Sequence, residues 1–166
     1  MCIRDSTPRE RWWRLTGGAL WLRARAVGFG TAGQPSLIAR RQQHADATVT
    51  TSFVFSPQEG SAAGLALVQN DDFFLAAGLT RERGQARVAL WRRAGAEEPA
   101  KGVELASVPV AWRPGTAVRL RVQTRGGRYD MDYALGQAPW ETLAHDVDAT
   151  NPVSYTHLTL PTNREV

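Results

Sequence analysis

Arg40-Arg41-Gln42-Gln43-His44 places two guanidiniums, two amides and an imidazole in five consecutive positions, an unusual concentration of groups that bind oxygen-rich partners. Guanidinium forks match carboxylates and hydroxyl-rich surfaces, and imidazole changes charge near neutral pH. A structural reading is equally open: arginines paired with local acids, and amides finishing backbone hydrogen bonds at a strand end. Other chemistry-bearing residues point less clearly. Asp130 and Asp132 share one strand face and could work as acid and base, yet the simpler reading is a solvated face opposite Tyr129, Met131 and Tyr133. Glu97-Glu98 precedes Pro99 in an expected loop, and Asn70-Asp71-Asp72 offers calcium ligands but reads more simply as a turn before Phe73-Phe74. His44 and His145 are the interior histidines, too few for a zinc site, and no Gly-x-Ser-x-Gly elbow or phosphate loop occurs. Neither a metal nor a cofactor is implied. Trp21 and Trp91 have flat apolar faces with a polar edge, suited to stacking on sugar rings or, more simply, to packing against a neighbouring sheet or domain.

These side chains must be positioned by strands. From Ala45 to Phe55, Ala45, Ala47, Val49, Thr51, Phe53 and Phe55 alternate with Asp46, Thr48, Thr50, Ser52 and Val54, the period of a sheet with one buried face. Leu20 to Ala26, Val118 to Gln123 and Tyr129 to Leu135 alternate likewise, and each apolar face calls for a second sheet. Less regular strands are expected over Gly64–Gln69, Phe73–Thr80, Arg87–Arg92 and Val103–Val110, with Gly, Pro, Asn or Asp in the breaks. Arg125-Gly126-Gly127 between two alternating runs predicts a hairpin, because glycine reaches positive φ at little steric cost. No segment has a helical period. The expectation is an all-β, antiparallel two-layer sandwich or a barrel.

The 166 residues, 43% of them hydrophobic, suit one globular domain with a real core. The net charge is +4, and Lys101 is the single lysine against 19 arginines. Those arginines are scattered rather than striped, so the bias fits GC-rich coding DNA and nucleic acid is not an expected partner. No apolar run approaches a membrane span. The ends read differently from the interior. Met1–Asp5 can be encoded by the reverse complement of codons for Val153–His157, and the tail from Val153 is abruptly Thr-rich. Residues 1–6 and 153–166 are therefore expected to be adapter-derived, leaving a domain over 7–152. Cys2 lies in that leader, the interior has no disulfide framework, and the compartment stays open.

With its lead-in Ser36-Leu37-Ile38-Ala39, the polar cluster resembles the (S/A)-L-hydrophobic-A-R-R-Q-Q-H-F stretch in the C-terminal domain of family 43 glycoside hydrolases of the β-xylosidase type. It departs at Ala45, where the family usually carries Phe. Gly64–Asn70 followed by Phe73-Phe74, and Val118 to Leu143 with its late Trp140, are similar to the family's later strands. The resemblance implies a concanavalin A-like jelly-roll sandwich, here expected to lack its last strands. It also implies a separate N-terminal five-bladed propeller that carries the catalytic carboxylates, so no catalytic residue is expected here. Arg40, Arg41, Gln42 and His44 would then border the domain interface or the pocket rim, with His44 nearest substrate. The parent enzyme would remove terminal xylose or arabinose from oligosaccharides by an inverting mechanism. An independent carbohydrate-binding module or lectin-like domain is the alternative.

Overall fold

The computed structural model describes residues 11–31 and 33–148. The expected leader 1–6 and tail 153–166 lie outside the described residues. Ten strands occur in chain order: β1 Trp13–Thr16, β2 Ala19–Leu22, β3 Ala47–Val54, β4 Ala62–Val68, β5 Phe73–Glu82, β6 Gln85–Ala94, β7 Val103–Pro109, β8 Ala117–Arg125, β9 Arg128–Leu135 and β10 Glu141–Asp148. There is no helix among the described residues. Two four-stranded antiparallel sheets, ordered β10-β9-β8-β3 and β4-β5-β6-β7, stack as a sandwich, while β1 and β2 form a separate ribbon.

The alternating runs account for the core. On β8 and β9 the register sets Val118 opposite Leu135, Leu120 opposite Tyr133 and Val122 opposite Met131, all on one face. Leu75, Ala77 and Leu79 of β5, with Ala86, Val88 and Leu90 of β6, close the layer from the other side. Leu75, Leu79, Val88, Leu90, Val118, Leu120 and Val122 are essentially sealed from solvent, each burial stabilising by about 1.5–3 kcal/mol. The β8–β9 turn uses Gly126 and Gly127 at φ 53° and 85°, as expected. The β5–β6 turn instead puts Arg83 at φ 51° before Gly84 at 77°. Glu59 compensates, its carboxylate accepting from the Arg83 N–H at 2.6 Å and the Gly84 N–H at 3.2 Å. Gly64 faces Gly78 across β4 and β5, where a Cβ on Gly64 would lie 1.9 Å from the Ala77 carbonyl oxygen.

Several boundaries differ from the sequence reading. β3 begins at Ala47, not Ala45, because Thr124 Oγ1 accepts from the Ala47 N–H at 2.9 Å and donates to the Ala45 carbonyl at 2.8 Å, bending the chain there. Beyond Leu135, where the last alternating run ends, the chain adds a further strand, Glu141–Asp148, which the sequence pattern does not show. Two register shifts on β10 against β9, with Asp146 at φ 54°, insert extra residues and scramble the period without ending the pairing. Strand Leu20–Ala26 stops at Leu22, and it pairs with an unanticipated β1 through Gly17-Gly18. Leu20 and Leu22 do not face a second sheet; they are exposed.

Candidate functional site

The Arg40–His44 run is an irregular segment leading into β3, and both ends of it are pinned. At the upstream end Arg25 donates from Nε to Ser36 Oγ at 3.2 Å and from a terminal nitrogen to the Pro35 carbonyl at 3.1 Å. Ser36 in turn donates to the Arg23 carbonyl at 2.6 Å. At the downstream end Asp46 Oδ1 accepts from the Gly126 N–H at 3.0 Å, beside the Thr124 bonds. Between these anchors Arg40, Arg41 and His44 are exposed, whereas Gln42 is half-buried and donates its amide to the His44 carbonyl at 2.7 Å. A loop fixed at both ends presents its charged side chains with less entropy to lose on binding than a free one.

The other sequence candidates lie apart from this loop in the chain and differ in environment. Trp21 sits exposed on β2 opposite Arg14, whose guanidinium lies 5.2 Å from its ring centroid. Trp91 is half-buried on the outer face of β6, opposite Ala76 and Glu104. The expectation that Asp130 and Asp132 form a solvated face needs correcting. Asp132 is only 8% exposed and its Oδ2 receives two bonds from Arg121, at 2.8 and 2.9 Å. Asp130 faces Arg125 and His145, each at 3.6 Å, and accepts from the Asp146 N–H at 2.9 Å. The cause is the hairpin register: counting back from Gly126-Gly127 sets Arg121 directly opposite Asp132.

That face also carries Trp140, whose ring takes the guanidinium of Arg119 at 4.8 Å and of Arg121 at 4.6 Å. The sequence reading gave this ring no role beyond a family signature. Its signal was the Arg-x-Arg spacing on β8, which points both cations to one face. On the core side of β9, burial and then the Glu141 carboxylate, which accepts the hydroxyl at 2.7 Å, push the Tyr133 hydroxyl up to about 12.

The Asn70-Asp71-Asp72 turn is closed by its own atoms. Asn70 Oδ1 accepts from the Asp72 and Phe73 N–H groups, both at 2.9 Å, and Asp72 pairs with Arg93 at 3.1 Å. Arg93, 7% exposed, also donates to the carbonyls of Gly30, Asp71, Ala96 and Glu98. It is a structural hub joining three loops. Among the described residues no group of three or more His, Cys, Asp or Glu is arranged to hold a metal. Glycoside hydrolysis needs an acid and a base flanking the bond to be cut. Asp130 and Asp132, the pair weighed for such work, are engaged with cations on a sheet face instead.

Comparison with solved structures returns the same architecture. The xylan β-1,4-xylosidase from Bacillus halodurans C-125 superposes with a TM-score of 0.75 at 22% identity, covering 84% of this chain and 27% of that one. A Bacteroides ovatus protein titled xyloglucan PUL GH43B gives 0.72 at 23% identity, with 86% and 28% coverage. The GH43 protein BlXynB of Bacillus licheniformis gives 0.75 at 17% identity, with 86% and 27% coverage. The chain thus spans little more than a quarter of the length of these proteins. No curated protein matches it. Residues 3–157 match the family described as the beta xylosidase C-terminal concanavalin A-like domain, which covers both sheets and the Arg40–His44 loop, and the chain belongs to that family.

Proposed function

We propose that this chain acts as the C-terminal accessory domain of a family 43 glycoside hydrolase, packing on an N-terminal five-bladed catalytic propeller and helping to shape its pocket. The observation that carries this reading is the loop anchored at Ser36 and Asp46, which leaves Arg40, Arg41 and His44 exposed between its anchors, and membership of a family described as a C-terminal domain supports it. In this role Arg40, Arg41, Gln42 and His44 border the interface or the pocket rim, and His44 approaches substrate. The parent enzyme hydrolyses terminal xylose or arabinose from oligosaccharides by a one-step inverting mechanism. Its acid and base belong to the propeller, so the 166-residue chain alone should be silent. Assay of the chain on aryl xylosides is expected to give no turnover, and measurable turnover would refute the assignment. Titration with xylo-oligosaccharides separates this role from an independent sugar-binding module: tight binding by the chain alone favours the module. In the parent enzyme, His44→Ala is expected to lower kcat/KM by about tenfold, the size of one lost transition-state contact. An unchanged kcat/KM would remove His44 from the pocket.

A further inference from the structure

The β1–β2 ribbon is two-faced, and one of its faces is apolar apart from Arg11, whose guanidinium lies 4.9 Å from the Trp13 ring centroid at its edge. Its register pairs Trp13 with Leu22 and Leu15 with Leu20, so these four side chains stand together on one side. They are 39%, 44%, 71% and 48% exposed, respectively. The opposite side carries Arg14 stacked over Trp21, and neighbouring Trp12 is buried with the Arg25 guanidinium 5.2 Å from its ring centroid. Neither strand joins a sandwich sheet, and the segment that follows the ribbon is held by Arg25, Ser36 and Arg93. Two-stranded hairpins are marginal in water by themselves, and a contiguous exposed apolar face of this kind marks a contact surface.

We infer that the Trp13, Leu15, Leu20 and Leu22 face is the docking surface for the catalytic portion of the same polypeptide. This inference rests on the accessory-domain reading. Three observations select that occupant. The chain covers 27–28% of solved relatives, whose remaining length precedes a domain described as C-terminal. The ribbon is the first element among the described residues, so a portion joined upstream is tethered close to it and has a high effective concentration there. Residues 11–25 hold four arginines and no acid, which disfavours apposing two copies of the ribbon and fits an apolar patch with an acidic rim.

Hydrogen exchange of the β1–β2 amides, compared between the 166-residue chain and the longer parent polypeptide, tests this. Protection in the parent is expected to rise by about tenfold or more, since docking suppresses the local opening of a marginal hairpin. Leu15→Lys with Leu20→Lys should return that exchange to the rate in the chain alone while leaving the melt of the chain unchanged. Equal exchange in both unsubstituted proteins overturns the inference. If the Arg40–His44 amides are nevertheless protected in the parent, the accessory role survives without this surface; if neither segment is protected, both fall. Dimerisation of the chain alone that protects the ribbon as strongly as the parent does would make a second copy the occupant, and this too overturns the inference.

Discussion

The β1–β2 ribbon and the β8–β9 hairpin are written in the same period-two code, each turning through a Gly-Gly pair, yet they end in opposite environments. Leu120 on β8 is sealed under the second sheet, whereas Leu20 on β2 is half exposed. Both have strand neighbours of alternating character. The difference lies in what stands across from them: β5 and β6 supply Leu75, Leu79, Val88 and Leu90 for one, whereas the other belongs to a ribbon outside both sandwich sheets and keeps about half of its surface open. Alternation therefore specifies that a face will be buried by something, without specifying by what.

Paired truncations give the largest contrast. Leu120→Ala should destabilise the chain by about 3 kcal/mol through lost transfer energy and a cavity. Leu20→Ala in the same chain should cost less than about 0.5 kcal/mol. Denaturant melts of the two variants decide it, and equal losses would mean that the ribbon is packed. A smaller effect is expected at the joint between the two regions. Arg93→Met keeps the length of the side chain but strips its carbonyl contacts, at about 2 kcal/mol, and should speed exchange around Gly30. Unaltered exchange there would show that Arg93 does not hold the connecting segment.

The smallest effect concerns pH. Tyr133 is pushed up from 10.0 to about 12, first by burial and then by the Glu141 carboxylate, so the fold holds its hydroxyl proton more tightly than the unfolded chain does. Its contribution is complete below pH 10 and is lost as the pH rises towards 12. Screening at the exposed Glu141 end keeps this loss on the order of 1 kcal/mol. Tyr133→Phe should flatten stability over that window, and an unchanged pH profile would sink the assignment.

Much of the fold could be read from residue order. The alternation over β3, β8 and β9 and the Gly126-Gly127 turn were sufficient for an antiparallel sandwich or barrel, because a pleated strand sends successive side chains to opposite faces whatever surrounds it, and the family resemblance narrowed the two to a sandwich. The candidate site was less legible. The Arg40–His44 cluster stood out by type, but its presentation depends on Ser36, Arg25, Asp46 and Thr124, with bonds reaching up to 80 positions along the chain. Asp132 looked solvated because its cation, Arg121, lies on another strand, and β10 was not anticipated because bulges shift its period.

Local pattern alone determined that these residues form pleated strands with one oily and one polar side, since that depends only on backbone geometry and side-chain type. Which oily side is covered, which carboxylate meets a cation and how a polar loop is held open were decided by tertiary structure. Those outcomes depend on groups far apart in sequence, and proximity between them exists only after the sheets have stacked.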